Sequence, residues 1–282
     1  MHTLPVFAIA REAYAFLWRE RGAILRLSWF PLLLVTIVAF FAIRARIESY
    51  REVFSAGDVA KAAAAATAAT SYSFWDLTND LAQVTGTAIV AVALHRVILF
   101  NDRQPGVFIN FNFGKVEGLF TLLPVLCGAG VVLLATAIGA LFEGVGRDAF
   151  GLAVFCLLAP TLFLIVRYAL VFPIAVVERR YNFQAAWTLS RGNFWRLVGV
   201  WVVVAVPVLL VFLLMQGALF SGVLLNSSSA GDVSASIDRF EAALMRTLVL
   251  SFPASIVFGA LGVGVLSYSY KALTGRRPDE VV

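Results

Sequence analysis

The sequence predicts an all-α polytopic membrane bundle: six spans arranged as three tandem parallel hairpins, with amphipathic helices along the cytoplasmic interface. Three observations lead there. Of 282 residues, 61% are hydrophobic and 14% charged, with a mean hydropathy of +0.88, which leaves too little polar side-chain material to clothe a soluble globule of that size. The apolar residues fall in six runs at about 24–43, 81–100, 119–142, 150–177, 197–220 and 247–270, each long enough for a helical span of roughly 20 residues. These runs are continuous, whereas strands of a transmembrane barrel alternate apolar and polar residues over about ten positions. The whole chain, 1–282, is expected to be one integral membrane domain.

Residues 5–21 come first. Val6, Ala10, Ala13, Tyr14 and Leu17 share a helical face opposite Arg11, Glu12 and Arg19, the pattern of a helix lying at a membrane surface. Run 24–43 follows basic residues as a secretory signal would, but it starts late and runs long, so it reads as an uncleaved first span. Loop 44–80 holds the Ala-rich tract 61–70, suited to a short helix or to a spacer. The second span ends near His95-Arg96. Residues 108–114, FINFNFG, then form a weak surface helix or only an interfacial loop. A tight turn at 143–149 joins the third and fourth spans. In 183–197, Phe183, Ala186, Trp187, Ser190, Phe194 and Leu197 fall on one helical face, with Gln184, Thr188 and Arg191 towards the other. The last loop, 221–246, pairs a Ser/Gly tract with IDRFEAALMR, expected as a separate short amphipathic helix. The Asn226-Ser-Ser triplet in that tract is read as chance.

Orientation follows from the cations, because Lys and Arg stay cytoplasmic. With the N-terminus inside, fifteen of the 22 Lys and Arg residues fall on the inner side. Both termini are therefore expected in the cytoplasm of a bacterial cell, with the chain in the inner membrane. The net charge of +5 fits anionic headgroups and calls for no nucleic acid. Cys127 and Cys156 lie in different spans, about 12 Å from the inner face and about 9 Å from the outer one, a poor match for a disulfide. Neither has metal-ligand spacing around it.

An internal repeat organises the chain. Aligning Gly22, Gly114 and Gly192 brings three glycine-led segments into odd-numbered spans that contain Pro31, Pro124 and Pro207. The even spans end on His95-Arg96, Arg167-Tyr168 and Tyr270-Lys271. Hairpins are thus expected at about 1–100, 101–178 and 179–282, all with the same in-to-out-to-in sense.

Four residues form a candidate intramembrane polar set: Arg167, Glu178, His95 and Arg96. Arg167 precedes Glu178 by eleven residues, about 16 Å along an ideal helix, and a charge at that depth is expensive. Three readings stand side by side. The guanidinium snorkels, aided by a kink at Pro173; it pairs with Glu178 or Glu117; or it binds a substrate. His95 suggests a proton relay, or simply a polar side chain reaching water near a span end. Ser255, Gly259 and Val263 share a face, as do Ala260 and Gly264, and Ala135 with Gly139, all suited to close helix approach. Pro160 and Pro253 either bend their helices or unwind them locally. No P-loop, dinucleotide fingerprint, HExxH pair or GxSxG elbow is present, and no catalytic residue, cofactor or metal site is assigned.

The pattern RYALVFP (167–173), VVE (176–178) and AAWTLSRGNFWRL (185–197) resembles the membrane domain attached to some bacterial glycerophosphoryl diester phosphodiesterases, and related six-span inner-membrane proteins. The clear match covers about thirty residues. That resemblance implies a fold and no catalysis, because the phosphodiesterase barrel is not found beside these spans. The expected role is a non-enzymatic envelope component that meets anionic lipid on the cytoplasmic side through Trp187, Arg191, Trp195 and Arg196, with other membrane proteins or further copies of itself as additional partners. The alternative is a small-molecule or lipid permease with a cavity at Arg167.

Overall fold

The computed structural model describes residues 3–55, 73–104, 106–141, 160–225 and 233–275. Among the described residues the regular structure is helical: α1 (Val6–Arg19), α2 (Arg21–Ser55), α3 (Phe74–Phe100), α4 (Lys115–Leu141), α5 (160–168), α6 (Val171–Glu178), α7 (Phe183–Ser190), α8 (Phe194–Leu225) and α9 (Val233–Thr274). Six helices are long and apolar enough to cross a membrane: Arg21–Glu52, Phe74–Phe100, Lys115–Leu134, Pro160–Glu178, Phe194–Ser221 and Ile237–Thr274. Each overlaps one of the six apolar runs. The Ala-rich tract 61–70, the turn 143–149, Cys156 and the Asn226 triplet lie outside the described residues, as do the side chains of Ala135 and Gly139.

Local chemistry sets several boundaries. Ser73 and Asp76 close a reciprocal capping box at the start of α3, which satisfies two otherwise orphaned N–H groups. Asn101 ends α3 and Arg179 ends α6 in the left-handed region, at φ 57° and 55°, a common helix stop. Gly192 turns the chain from α7 into α8 at φ 79°, where only glycine is unstrained. Pro173 explains the break between α5 and α6. It has no N–H for the carbonyl of Ala169, four residues back, and its ring crowds that carbonyl; the helix is interrupted at 169–170. Pro31, Pro124, Pro207 and Pro253, by contrast, sit inside α2, α4, α8 and α9, so Pro253 does not unwind its helix.

One element differs from the sequence expectation, and residues 108–114 take the loop alternative. IDRFEAALMR is not a separate surface helix but the opening of α9, which runs 42 residues without a break. Glu, Ala, Leu, Met and Arg are strong helix formers, and nothing between Ile237 and the apolar run stops the helix. At ~1.5 Å per residue α9 is about 63 Å long and α2 about 52 Å, both well beyond a hydrocarbon core of roughly 30 Å. FINFNFG is not helical. It is an irregular segment pinned to α2, where Asn110 donates to the Leu27 carbonyl at 3.1 Å and Trp29 donates to the Phe108 carbonyl at 2.9 Å.

Contacts define two ends of the bundle. At one, called the near end, Arg103 grips Glu20, Lys271 donates to the Ile98 carbonyl, Arg96 meets Glu117, and the Leu4 N–H donates to Asn193. At the far end Arg46 meets Asp76, Arg44 meets Glu241, and Arg51 meets both Asp238 and Glu241. Hence α2 runs antiparallel to both α3 and α9. These three helices pack closely on one another, while α4 leans on α3 and α8 on α9. In α1, Ile9, Ala10, Ala13 and Phe16 are buried against α8 and α9, so its apolar face is turned to protein. Gly264 permits that docking: a Cβ there would lie 3.2 Å from the Cβ of Ala13.

Candidate functional site

Arg167 lies at the near-end side of α5, and α7 folds back beside it. Asn182 caps α7 by accepting from the Ala185 N–H. This places Trp187 and Ser190 against α5. The Arg167 guanidinium sits 4.3 Å from the Trp187 ring centroid and 5.3 Å from that of Phe163, and one terminal nitrogen donates to Ser190 Oγ at 3.3 Å. Its Nε is buried without a partner. The expected ion pair is absent. Glu178 accepts instead from Arg180 and Asn182, and Glu117 is taken by Arg96. A guanidinium over two rings gains from the negative faces of their π-systems, and these contacts stand where a carboxylate partner was expected. Changing Trp187 to Leu is expected to lower stability by about 1–2 kcal/mol, read as an earlier thermal midpoint in detergent, with Trp187→Phe intermediate. Equal midpoints for all three proteins would count against these contacts.

His95 and Arg96 are neighbours in α3 and diverge. The helical step turns His95 towards α9, where Nδ1 lies 2.6 Å from Ser267 Oγ and the ring meets Phe120 edge-on at 5.6 Å. His95 is 1% exposed, so it does not reach water as a side chain near a span end was expected to do. Arg96 turns to α4 and pairs with Glu117 at 3.0 Å. The other carboxylate oxygen of Glu117 accepts the Gly114 N–H at 3.0 Å, which satisfies a donor at the start of α4 and suits the positive end of that helix. Arg167, Glu178, His95 and Arg96 thus have separate partners and do not converge. Among the described residues no three His, Cys, Asp or Glu side chains gather as a metal site.

The four proposed headgroup residues divide similarly. Trp187 packs on Arg167. Arg196 is exposed yet donates to the Leu4 carbonyl at 3.1 Å, tying the start of α8 to the N-terminal segment. Arg191 and Trp195 remain outward, Trp195 at 79% exposure. Around the same end Phe7, Trp18, Phe108, Phe111 and Phe113 are also exposed. Tyr14 instead points inward and donates to the Val204 carbonyl at 2.9 Å; burial pushes its hydroxyl above the ordinary phenol range and so keeps the donor protonated.

Sequence reasoning passed over Ser267, Asn193, Gly86 and the far-end zipper of Arg44, Arg51, Asp238 and Glu241. Ser267 and Asn193 are buried polar residues, but single Ser and Asn residues in apolar surroundings carry no pattern. For the zipper a signal existed: cations and carboxylates recur on the extensions of α2 and α9, visible once both helices are drawn past the bilayer. Mean hydropathy conceals it, because charged turns outside the spans read as loop. Comparison with protein-family models, with curated proteins and with solved structures gives no match to this chain.

Proposed function

We propose that the protein is a non-enzymatic, multi-pass component of a bacterial inner membrane, built as three parallel hairpins with its near end cytoplasmic, and that it engages anionic lipid headgroups at that end. One observation carries the reading: an aromatic collar, with Trp18 69% and Trp195 79% exposed, shares its chain segments with the exposed cations Arg11, Arg21, Arg191 and Arg196. Amphipathic rings settle at the hydrocarbon boundary while cations reach phosphate. The resemblance of residues 167–197 to the phosphodiesterase-linked membrane domain fits this reading, since it implies architecture and no catalysis. Support for the permease alternative is weaker. Arg167 packs on the rings of Phe163 and Trp187, and the pockets at the near end and beside Arg46 are lined by other residues.

The test is lipid retention. Protein reconstituted in mixed phosphatidylglycerol and phosphatidylcholine nanodiscs, then extracted in mild detergent, is expected to keep phosphatidylglycerol selectively. The pair Arg191→Glu with Trp195→Ala should reduce that enrichment by about fivefold, on the basis of about 1 kcal/mol per headgroup cation. An unchanged lipid ratio would remove the collar's role.

A further inference from the structure

A pocket of about 480 Å³ opens at the near end where α1, the C-terminus of α3 and the C-terminus of α9 meet. Its apolar side is formed by Phe16, Val97 and Leu99, and its polar side by Arg19, Glu20, Asn101, Arg103, Tyr268 and Lys271. The cations are not equivalent. Arg103 is neutralised by a two-pronged contact with Glu20, at 3.0 and 2.8 Å, and Arg19 is held by Glu12 at 2.7 Å. Lys271 has no carboxylate among the described residues. Half-buried, its ammonium donates to the Ile98 carbonyl, which completes the negative end of α3 but uses only one of three N–H donors. An ammonium partly withdrawn from water and short of partners favours an anion beside it. An apolar wall beside this one cation without a carboxylate suits an anion carried on an apolar body.

The geometry points to this cavity as a binding site for a phosphate-class anion, free or as the headgroup of an amphiphile, held chiefly by Lys271. The Tyr268 hydroxyl is placed on the same wall as a further donor. The site is separate from the collar. It needs the near end to lie at headgroup level, but it does not need Arg191 or Trp195.

Full-length protein in detergent is titrated with short-chain phosphatidic acid, with short-chain phosphatidylcholine and with inorganic phosphate, and binding is read by calorimetry and native mass spectrometry. Wild type is expected to bind phosphatidic acid saturably at one equivalent. Lys271→Met should weaken it by about tenfold or more, the loss of one charge-assisted hydrogen bond, while Lys271→Arg stays within about threefold. Phosphate binding as tightly as phosphatidic acid identifies a free anion as the ligand, and much weaker phosphate binding identifies a lipid. The collar pair Arg191→Glu with Trp195→Ala should leave this stoichiometric binding intact, so the two ideas fail separately. Saturable binding of neither anion by wild type overturns the proposal. So does a folded Lys271→Met protein that binds as wild type does, or phosphatidylcholine binding equal to that of phosphatidic acid.

Discussion

Replacing Glu117 by Ala is expected to lower stability by about 3–5 kcal/mol, enough to leave little folded protein after detergent extraction. Glu117 has a side chain only 4% exposed and serves two partners, Arg96 at 3.0 Å and the Gly114 N–H at 3.0 Å. Truncation leaves Arg96, with 26% of its side chain exposed, short of its counter-charge. It also leaves the first turn of α4 without an acceptor. Two companion variants separate these effects. Glu117→Gln keeps an oxygen for Gly114 and loses only the charge, so it should cost about half as much. Arg96→Met with Glu117→Met removes both charges at once and should be milder than Glu117→Ala, because no lone charge stays behind. Thermal unfolding followed by tryptophan fluorescence in detergent measures all three. If Glu117→Ala melts with wild type, the pair contributes nothing and the account of α3 against α4 is wrong.

The second large effect is expected at Gly86. A Cβ on this residue would lie 2.4 Å from Val35 Cγ2 and 3.4 Å from the Pro31 carbonyl oxygen, so α2 and α3 touch backbone to side chain at this crossing. Pro31 gives that carbonyl a fixed place, and Val35, β-branched within a helix, is held near one rotamer. Gly86→Ala should therefore destabilise by about 1–3 kcal/mol through overpacking, although alanine alone would gain up to about 1 kcal/mol in helix propensity. Gly86→Leu should separate the helices. Adding Val35→Ala to Gly86→Ala should restore most of the loss, a coupling of about 1 kcal/mol or more. Gly259 has open space around its Cβ position, so Gly259→Ala is the control and should be neutral or slightly stabilising. Destabilisation of equal size at both glycines would sink the steric explanation.

These two sites show what was legible and what was not. Glu117 entered the sequence reading as an alternative partner for Arg167, and its true partner, Arg96, was already flagged as intramembrane. Helical periodicity placed both residues near a span end without saying which cation met which carboxylate. Four-residue spacing selects Ser255, Gly259 and Val263, Ala260 with Gly264, and Ala135 with Gly139. Gly264 does meet Ala13, but Gly259 meets nothing within 4 Å, whereas Gly86, which has Ala82 at the same spacing and was not singled out, makes the tightest approach. Spacing describes one helix, whereas close approach depends on where a second helix crosses it.

The alternation of α1 was legible too, and its destination was not. An apolar stripe beside basic residues predicts burial of that stripe, and lipid and protein serve equally well as the apolar medium. Burial of Ile9, Ala13 and Phe16 against α8 and α9 is a decision of packing. The same holds for residues 183–197, whose aromatic face holds Arg167 instead of lying wholly in lipid.

By itself the sequence determined the class and the six spans, because crossing a bilayer demands about twenty continuous apolar residues and that demand is local. It also determined the break before Pro173 and the turn at Gly192, since proline's missing N–H and glycine's access to positive φ act within one helical turn. Only the tertiary structure decided the partners: His95 with Ser267, Arg96 with Glu117, Arg167 with Trp187 and Phe163, and the zipper that joins α2 to α9 beyond the spans. All of these except the Arg167–Phe163 contact, an i,i+4 pair within α5, join residues on different helices. Which helix lies beside which depends on shape complementarity summed over whole faces, and no short stretch of sequence contains that sum.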